Sequence, residues 1–215
     1  MLKALLSEPT IKYCEVAVNG LIKRPYYAIS NFAFLISGVL ILLKGKGSVL
    51  SRAFGLVAIL VGTLSFVYDS SYLYISQLLD LTGMLIFISL LLYLNLSLLY
   101  KNKVLILVIQ IISILLGLAI IIIFQGYSGD VVFGVFVLTY ILSEIHLLRE
   151  GKHKDYKRWM LVVVIFLIGF VFWIFDASKT YCASFGLLNG RAIFHFINAV
   201  VIYYLYEYYR LQEQH

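Results

Sequence analysis

The sequence predicts an all-α membrane protein, a bundle of seven transmembrane helices whose N-terminus lies outside and whose C-terminus lies in the cytoplasm. Three observations predict it: the composition, a series of long apolar runs, and an uneven distribution of basic residues. Of the 215 residues, 62% are hydrophobic and only 13% are charged, whereas soluble domains carry about 25% charged residues. A soluble domain of this size cannot bury so much apolar surface, but a bilayer can accommodate it.

Seven runs without charge follow one another along the chain, and a helix needs about 17–25 residues to cross the hydrocarbon core. The runs lie at 26–43, 53–68, 81–100, 104–129, 131–143, 159–175 and 192–206. The fifth reaches spanning length only if it continues through Glu144 to about Leu148. The sequence therefore predicts an N-terminal segment at 1–25, one membrane domain at 26–208 and a short tail at 209–215.

The distribution of basic residues predicts the orientation in the membrane. With seven spans the two ends of the chain lie on opposite sides, and Lys and Arg collect on the cytoplasmic side. The face with the N-terminus has five of them, Lys3, Lys12, Lys23, Arg24 and Lys179. The other face has eleven: Lys44, Lys46, Arg52, Lys101, Lys103, Arg149, Lys152, Lys154, Lys157, Arg158 and Arg210. These residues lie in short loops and form no basic patch with interleaved aromatics, so the net charge of +6 does not indicate nucleic-acid binding.

Polar residues at membrane depth gather at one end of the predicted bundle. Ser65 and Asp69 are four residues apart and share a helix face, as do Arg191 and His195, while Asp80 enters the third helix. Ionisable groups in membrane helices usually face the bundle interior and mark function. The sequence therefore predicts a clustered polar site near the outer membrane face. The alternative is that these residues lie at the interface and extend into the headgroups.

At the opposite end, the sequence predicts interfacial residues and no site. Glu144 and His146 are two residues apart, so they point in different directions on a helix. An aromatic belt at the interface explains the tyrosines near the C-terminus, which are Tyr203, Tyr204, Tyr206, Tyr208 and Tyr209.

Both cysteines, Cys14 and Cys182, fall outside the cytoplasm in this topology, where disulfides persist. The sequence therefore predicts a bridge between them that ties the N-terminal segment over the mouth of the bundle.

These motifs resemble the alkaline ceramidase family, which belongs to a wider superfamily of seven-helix membrane hydrolases and adiponectin-type receptors. The family pattern places a serine, a histidine and an aspartate at the spacing of Ser65, Asp69 and Asp80, the last within Gln77-Leu78-Leu79-Asp80. The family ending is matched by Trp173, Asp176, Cys182, Arg191 and His195. Near the N-terminus the matching residues are Tyr13-Cys14-Glu15, Pro25 and Ser30-Asn31-Phe32-Ala33-Phe34. The resemblance spans residues 13–206.

The resemblance implies a zinc ion held by three histidines, which activates water for hydrolysis of a lipid amide with help from the serine and the aspartate. In this sequence the three ligand positions are Asp69, Arg191 and His195. An arginine stays protonated and has no lone pair for a metal. Opposite charges at two former ligand positions instead predict an Asp69–Arg191 ion pair that takes the place of the metal.

The resemblance also implies a calcium site in the N-terminal segment of some relatives. Of the expected acidic ligands only Glu15 remains, while Lys12 and Arg24 stand at positions of carboxylates. Because Ca²⁺ needs several oxygen ligands, we do not expect calcium here.

Two functions follow from the resemblance. The first is hydrolysis of a long-chain lipid amide such as ceramide or an N-acyl lipid. Ser65, Asp80 and His195 would act as catalytic residues, Arg191 and Asp69 would contact the substrate, and Asp69 and His195 would be the remaining metal ligands. The second is a catalytically inactive lipid-binding or receptor-like relative. In both cases the expected partner is a membrane lipid.

Overall fold

The computed structural model describes residues 5–126, 128–153 and 155–212, so the parts of the predicted N-terminal segment and tail at 1–4 and 213–215 lie outside the described residues, as does position 154. Seven long helices and no strand occur in this part of the chain, which confirms the all-α prediction. They are α1 (Pro25–Lys44), α2 (Val49–Ser71), α3 (Tyr74–Leu99), α4 (Lys103–Phe124), α5 (Ser128–Arg149), α6 (Tyr156–Ala177) and α7 (Gly190–Gln212). Asn31 divides α1 into Pro25–Ser30 and Phe32–Lys44.

Six of these helices, α1 to α6, are long and apolar enough to cross a membrane. The helix α7 is equally long but more polar, and its buried faces pack against α6, α1 and α2. By contrast, α4 is mostly exposed along its Leu and Ile side chains, as expected for a helix that faces lipid. The charge-free runs predicted the order of the helices correctly.

Helix boundaries differ from the charge-free runs because polar residues occupy the terminal turns. The helix α2 begins four residues before its run, where the Ser48 side chain accepts a hydrogen bond from the backbone N–H of Ser51. The helix α3 begins at Tyr74, so Asp80 lies in its second turn and not at its start. The helix α4 ends at Phe124 because Gln125 and Gly126 both adopt positive φ angles.

Glycines let neighbouring helices approach closely. A Cβ atom on Gly38 of α1 would lie 2.7 Å from the backbone oxygen of Gly55 on α2, and one on Gly62 of α2 would lie 2.8 Å from Phe34. Small residues of this kind permit close backbone contact between membrane helices. This contact brings the C-terminal half of α2 against the start of α1, where the candidate site lies.

The N-terminal segment before α1 lies across one end of the bundle. The backbone N–H of Thr10 donates to Gln77 at 2.9 Å, and the backbone N–H of Cys14 donates to Asp176 at 2.8 Å. The predicted disulfide between Cys14 and Cys182 is present. The segment is therefore attached both to α3 and to the loop that precedes α7.

At the opposite end, the interfacial prediction is wrong for Glu144, whereas for His146 it stays a prediction. The exposed His146 pairs with Glu150, whereas Glu144 is fully buried. The Glu144 carboxylate accepts a hydrogen bond from Tyr208 of α7 and contacts His153 of the α5–α6 loop. The Tyr209 hydroxyl donates to Asn95 at 2.6 Å and lies 3.3 Å from the Glu144 carboxylate. We call Asn95, Glu144, His153, Tyr208 and Tyr209 the Glu144 cluster.

The aromatic-belt prediction was wrong for three of the five tyrosines. The side chain of Tyr204 is exposed, but Tyr206, Tyr208 and Tyr209 are buried in the core. One face of α7 points into protein whatever its depth in the membrane, and these three tyrosines lie on it. The sequence pattern did not reveal that other helices cover this face.

Candidate functional site

The five residues predicted to cluster do come together, at the end of the bundle that the N-terminal segment covers. Ser65 and Asp69 come from α2, Asp80 from α3, and Arg191 and His195 from α7. Each is at most 5% exposed, so the alternative of side chains extending into the headgroups is wrong. The Ser65 and Asp80 side chains line the same cavity.

Asp69 lies at the centre of this group and is held by two cations. Its Oδ1 atom is 2.6 Å from Nη2 of Arg24 and 3.4 Å from Nε of Arg191, while Oδ2 accepts a hydrogen bond from the Asn31 amide at 2.9 Å. Asp69 and Arg191 therefore form the ion pair that their opposite charges predict. A second guanidinium, that of Arg24, makes the closer contact.

Arg191 joins Asp69 to a second carboxylate. Its Nη2 atom donates to Oδ2 of Asp80 at 3.1 Å. The two guanidinium groups and the two carboxylates carry no net charge when all four are ionised. We call Arg24, Asp69, Asp80 and Arg191 the arginine–aspartate cluster.

Aromatic rings enclose the two guanidinium groups. The Cζ atom of Arg24 lies 4.6 Å from the ring centre of Tyr68 and 4.7 Å from that of Tyr72, and Tyr13 and Tyr27 complete the enclosure. The Cζ atom of Arg191 lies 4.6 Å from the ring centre of Tyr13 and 5.0 Å from that of Tyr68. Cation–π attraction strengthens when the cation is desolvated. Tyr13 and Tyr68 thus contact both cations.

Sequence reasoning did not assign Arg24 to this site. In the sequence, Arg24 was counted as a basic residue of the N-terminal segment and was noted at a position where a calcium site would need a carboxylate. The backbone N–H of Arg24 donates to the carbonyl of Asp69 at 3.0 Å, and that of Lys23 donates to the carbonyl of Ser70 at 3.0 Å. These bonds place Arg24 beside the end of α2, a contact between residues 45 positions apart that no sequence spacing indicates.

Asp176 is a second residue that the prediction did not place at the site. It lies at the end of α6, and its carboxylate accepts hydrogen bonds from the Tyr27 hydroxyl and from the backbone N–H groups of Cys14 and Arg191, all at 2.7–2.8 Å. One carboxylate thereby fixes α1, the N-terminal segment and the first turn of α7. The only signal in the sequence was its position in the motif that resembles ceramidases.

His195 takes part through a defined ring nitrogen. Its Nδ1 atom lies 2.7 Å from Oγ of Ser30, and the Ser30 hydroxyl donates its single hydrogen to the carbonyl of Tyr27 at 2.7 Å. With the Ser30 hydrogen on the Tyr27 carbonyl, Ser30 accepts from His195 and the imidazole proton lies on Nδ1. The Nε2 atom of this neutral tautomer keeps its lone pair.

In the described part of the N-terminal segment, residues 5–24, the carboxylate at a calcium-ligand position is already engaged. Both carboxylate oxygens of Glu15 accept hydrogen bonds from the backbone N–H groups of Tyr26 and Tyr27, in the first turn of α1. Burial raises the pKa of Glu15 above its usual range, although these two bonds oppose the shift. Lys12 pairs with Glu8 on the surface. The oxygen atoms that Ca²⁺ requires are not assembled there.

A cavity of about 340 Å³ extends from the cluster into the bundle, within the usual range for ligand pockets. Its charged lining, Asp80, Asp130 and Arg191, lies at one end, where Ser65 and His195 also line it. Farther in, the lining is mostly apolar, with Phe87, Ile88, Val162, Phe166 and Ile202, and includes the polar groups of Tyr140 and Trp159. Arg24 and Asp69 do not line this cavity. Of the two cations, Arg191 faces the ligand space and Arg24 is sealed behind it.

The residues present do not fit a zinc ion. Zinc needs neutral imidazoles, thiolates or free carboxylates, but both oxygens of Asp69 are taken and Nη2 of Arg191 occupies Oδ2 of Asp80. His195 is the one imidazole of the group. No set of three His, Cys, Asp or Glu side chains in the described ranges is arranged to hold a metal. Two guanidinium groups at this place would repel a dication.

Comparison with protein-family models gave a match. A family model described as Ceramidase matches residues 7–214, nearly the whole chain, and this agrees with the resemblance seen in the motifs. A comparison with curated proteins found no matching sequence.

Proposed function

Because this chain belongs to the ceramidase family, we propose that it binds a long-chain lipid of the ceramide or N-acyl type without a zinc ion. In this proposal the arginine–aspartate cluster takes the place of the metal and holds α1, α2, α3 and α7 together. One observation carries the proposal: Asp69 contacts the guanidinium groups of Arg24 and Arg191 at 2.6 Å and 3.4 Å.

Charge balance supports this reading. Buried charges are stable only when they are paired and hydrogen-bonded, and the two cations of the cluster already neutralise its two anions. A zinc ion added at this place would bring two further positive charges to a group that is already neutral. Asp69 would have to give up both arginines to bind it, which would leave the buried Arg24 without its anion and Arg191 with Asp80 alone.

The cavity supports a lipid as the ligand. Arg191 at its polar end and Leu205 near its far end are fourteen positions apart on α7, which corresponds to roughly 21 Å along a helix axis. That length is about two-thirds of the hydrocarbon core of a bilayer. A space with a polar end and a long apolar interior matches a molecule with one polar head and a long chain.

Metal-independent hydrolysis is the second candidate, and the position of His195 favours it. Ser65, Asp80 and His195 line the same cavity, and Nε2 of His195 keeps the lone pair of a general base. In this scheme Nε2 accepts a proton from the water that attacks the amide carbon. Arg191 donates a hydrogen bond to the oxygen that gains negative charge.

We also propose the orientation and the remaining span. With α7 as the seventh span, the N-terminal segment at 1–25 lies outside, the membrane domain at 26–208 crosses the bilayer, and the tail at 209–215 is cytoplasmic. The excess of basic residues on the opposite face supports this orientation. The Cys14–Cys182 disulfide supports it independently, because such bonds persist on the oxidising side.

One experiment distinguishes lipid binding from metal-independent hydrolysis. The protein is purified in mild detergent, its mass is measured with bound lipid retained, and it is then incubated with ceramide while released fatty acid is quantified. We expect one long-chain lipid per chain and no fatty acid above the level of a His195→Gln variant. Fatty acid release by the wild-type protein that the variant lacks would establish the hydrolase. The absence of any bound lipid or ceramide binding would refute the lipid-binding proposal.

A further inference from the structure

The charges that line the cavity do not balance. Arg191 and Asp80 pair with each other, and the other pair of the cluster, Arg24 and Asp69, does not reach the ligand space. Asp130 lines the cavity as well. With all groups ionised and His195 neutral, the cavity wall therefore carries one carboxylate more than it has cations.

Asp130 has no partner for its buried oxygen. It lies in the first turn of α5, where its charge is favourable next to the helix N-terminus. Its Oδ2 atom, however, is buried and accepts no hydrogen bond from any described residue, and the ion pairs of the described chain do not include Asp130. A buried carboxylate oxygen left without a donor costs free energy. A ligand that supplies the donor recovers that cost.

We propose that Asp130 selects a lipid with a positively charged, hydrogen-bond-donating head, namely a long-chain amine, over a lipid with an anionic head. An ammonium group brings three N–H donors and one positive charge, which match the unpartnered oxygen and the unbalanced charge. A fatty acid carboxylate would place a second anion beside Asp130, and the two would repel each other. This inference rests on the proposed lipid-binding function and, within it, favours a lipid with a free amine over ceramide itself, whose acylated nitrogen is uncharged.

Three radiolabelled probes with the same alkyl chain test this inference: octadecylamine, octadecanol and octadecanoate. Their equilibrium binding to the full-length protein is measured in detergent at pH 7. The amine is protonated at this pH. The variant Asp130→Asn keeps the size of the side chain and removes the charge. The control Asp155→Asn makes the same change at the start of α6, where either residue caps the helix.

In the wild-type protein we expect octadecylamine to bind at least tenfold more tightly than octadecanoate. Asp130→Asn should weaken amine binding by about tenfold or more, the usual effect of a charge-assisted hydrogen bond, and leave octadecanol nearly unchanged. The Asp155→Asn variant should bind all three probes as the wild type does.

Two results would overturn the inference while the lipid-binding function survives: a wild-type preference for octadecanoate, or equal amine binding by wild type and Asp130→Asn. If the Asp130→Asn variant does not fold, the relative affinity of the wild-type protein for octadecylamine and octadecanoate decides the inference by itself. If none of the three probes and no ceramide binds, the proposed function itself fails, and this inference fails with it.

Discussion

Replacing Asp69 with asparagine should destabilise the protein more than any other single change in the arginine–aspartate cluster. Asp69 is fully buried, as is Arg24, and it is the carboxylate shared by both cations. The Asp69→Asn variant keeps the shape but leaves Arg24 with no anion within ion-pair distance. Breaking a buried ion pair in this way costs about 3–5 kcal/mol.

The Arg24→Met variant should cost less, because Asp69 then keeps Arg191 and the Asn31 amide and the methionine side chain packs well against the surrounding tyrosine rings. We expect a loss of about 2–3 kcal/mol, below the value for a broken pair with no remaining partner. Combining the two changes removes the cation that Asp69→Asn leaves unpaired. The double variant should therefore be more stable than Asp69→Asn alone.

Thermal unfolding in detergent, followed by tryptophan fluorescence, measures all three variants. A loss of 3–5 kcal/mol in a protein of 215 residues corresponds to a decrease in Tm of roughly 6–20 °C. The control Asp155→Asn, at a half-exposed helix cap, should stay within about 0.5 kcal/mol of the wild type. If the double variant lost the sum of the two single losses, the changes would be independent, and the ion pair would not be the source of stability.

Three further predictions concern the disulfide, the Glu144 cluster and the cavity. Unreduced protein should not react with thiol reagents, and labelling without reductant would contradict the bridge. Replacing Cys14 and Cys182 with serine should lower the free energy of unfolding by about 2–5 kcal/mol. Glu144→Leu should lower the unfolding free energy by about 3 kcal/mol by removing the acceptor of buried donors, whereas His146→Leu on the surface should change it little. Gly134 lines the cavity, and a Cβ atom there would meet nothing within 4 Å. Gly134→Phe should therefore reduce the occupancy of bound lipid without lowering Tm. Unchanged occupancy in lipid mass measurements would count against the cavity as the lipid site.

Local patterns were sufficient to predict much of the fold. Charge-free runs gave the order of the helices, and the four-residue spacings of Ser65 with Asp69 and of Arg191 with His195 correctly placed each pair on one face. These signals lie within single helices, where the 3.6-residue period fixes which side chains are neighbours. The disulfide was predictable because the chain has only two cysteines and the topology put both on one side.

Contacts between distant segments were not predictable in the same way. Arg24 reaches Asp69 only because the N-terminal segment folds back over the end of α2, and Asp176 accepts from three different segments. Glu144 was misjudged for the same reason, since its partners come from α7 and from the α5–α6 loop. Each error arose where the tertiary arrangement, not the helix period, decides the surroundings of a polar group.

The metal content of the purified protein shows directly whether arginines take the place of zinc. The protein is produced in zinc-supplemented medium, purified without chelators and analysed by elemental mass spectrometry, with Tm measured before and after EDTA. We expect zinc far below one ion per chain and the same Tm in both samples. One zinc ion per chain, lost together with several degrees of Tm when EDTA is added, would contradict it.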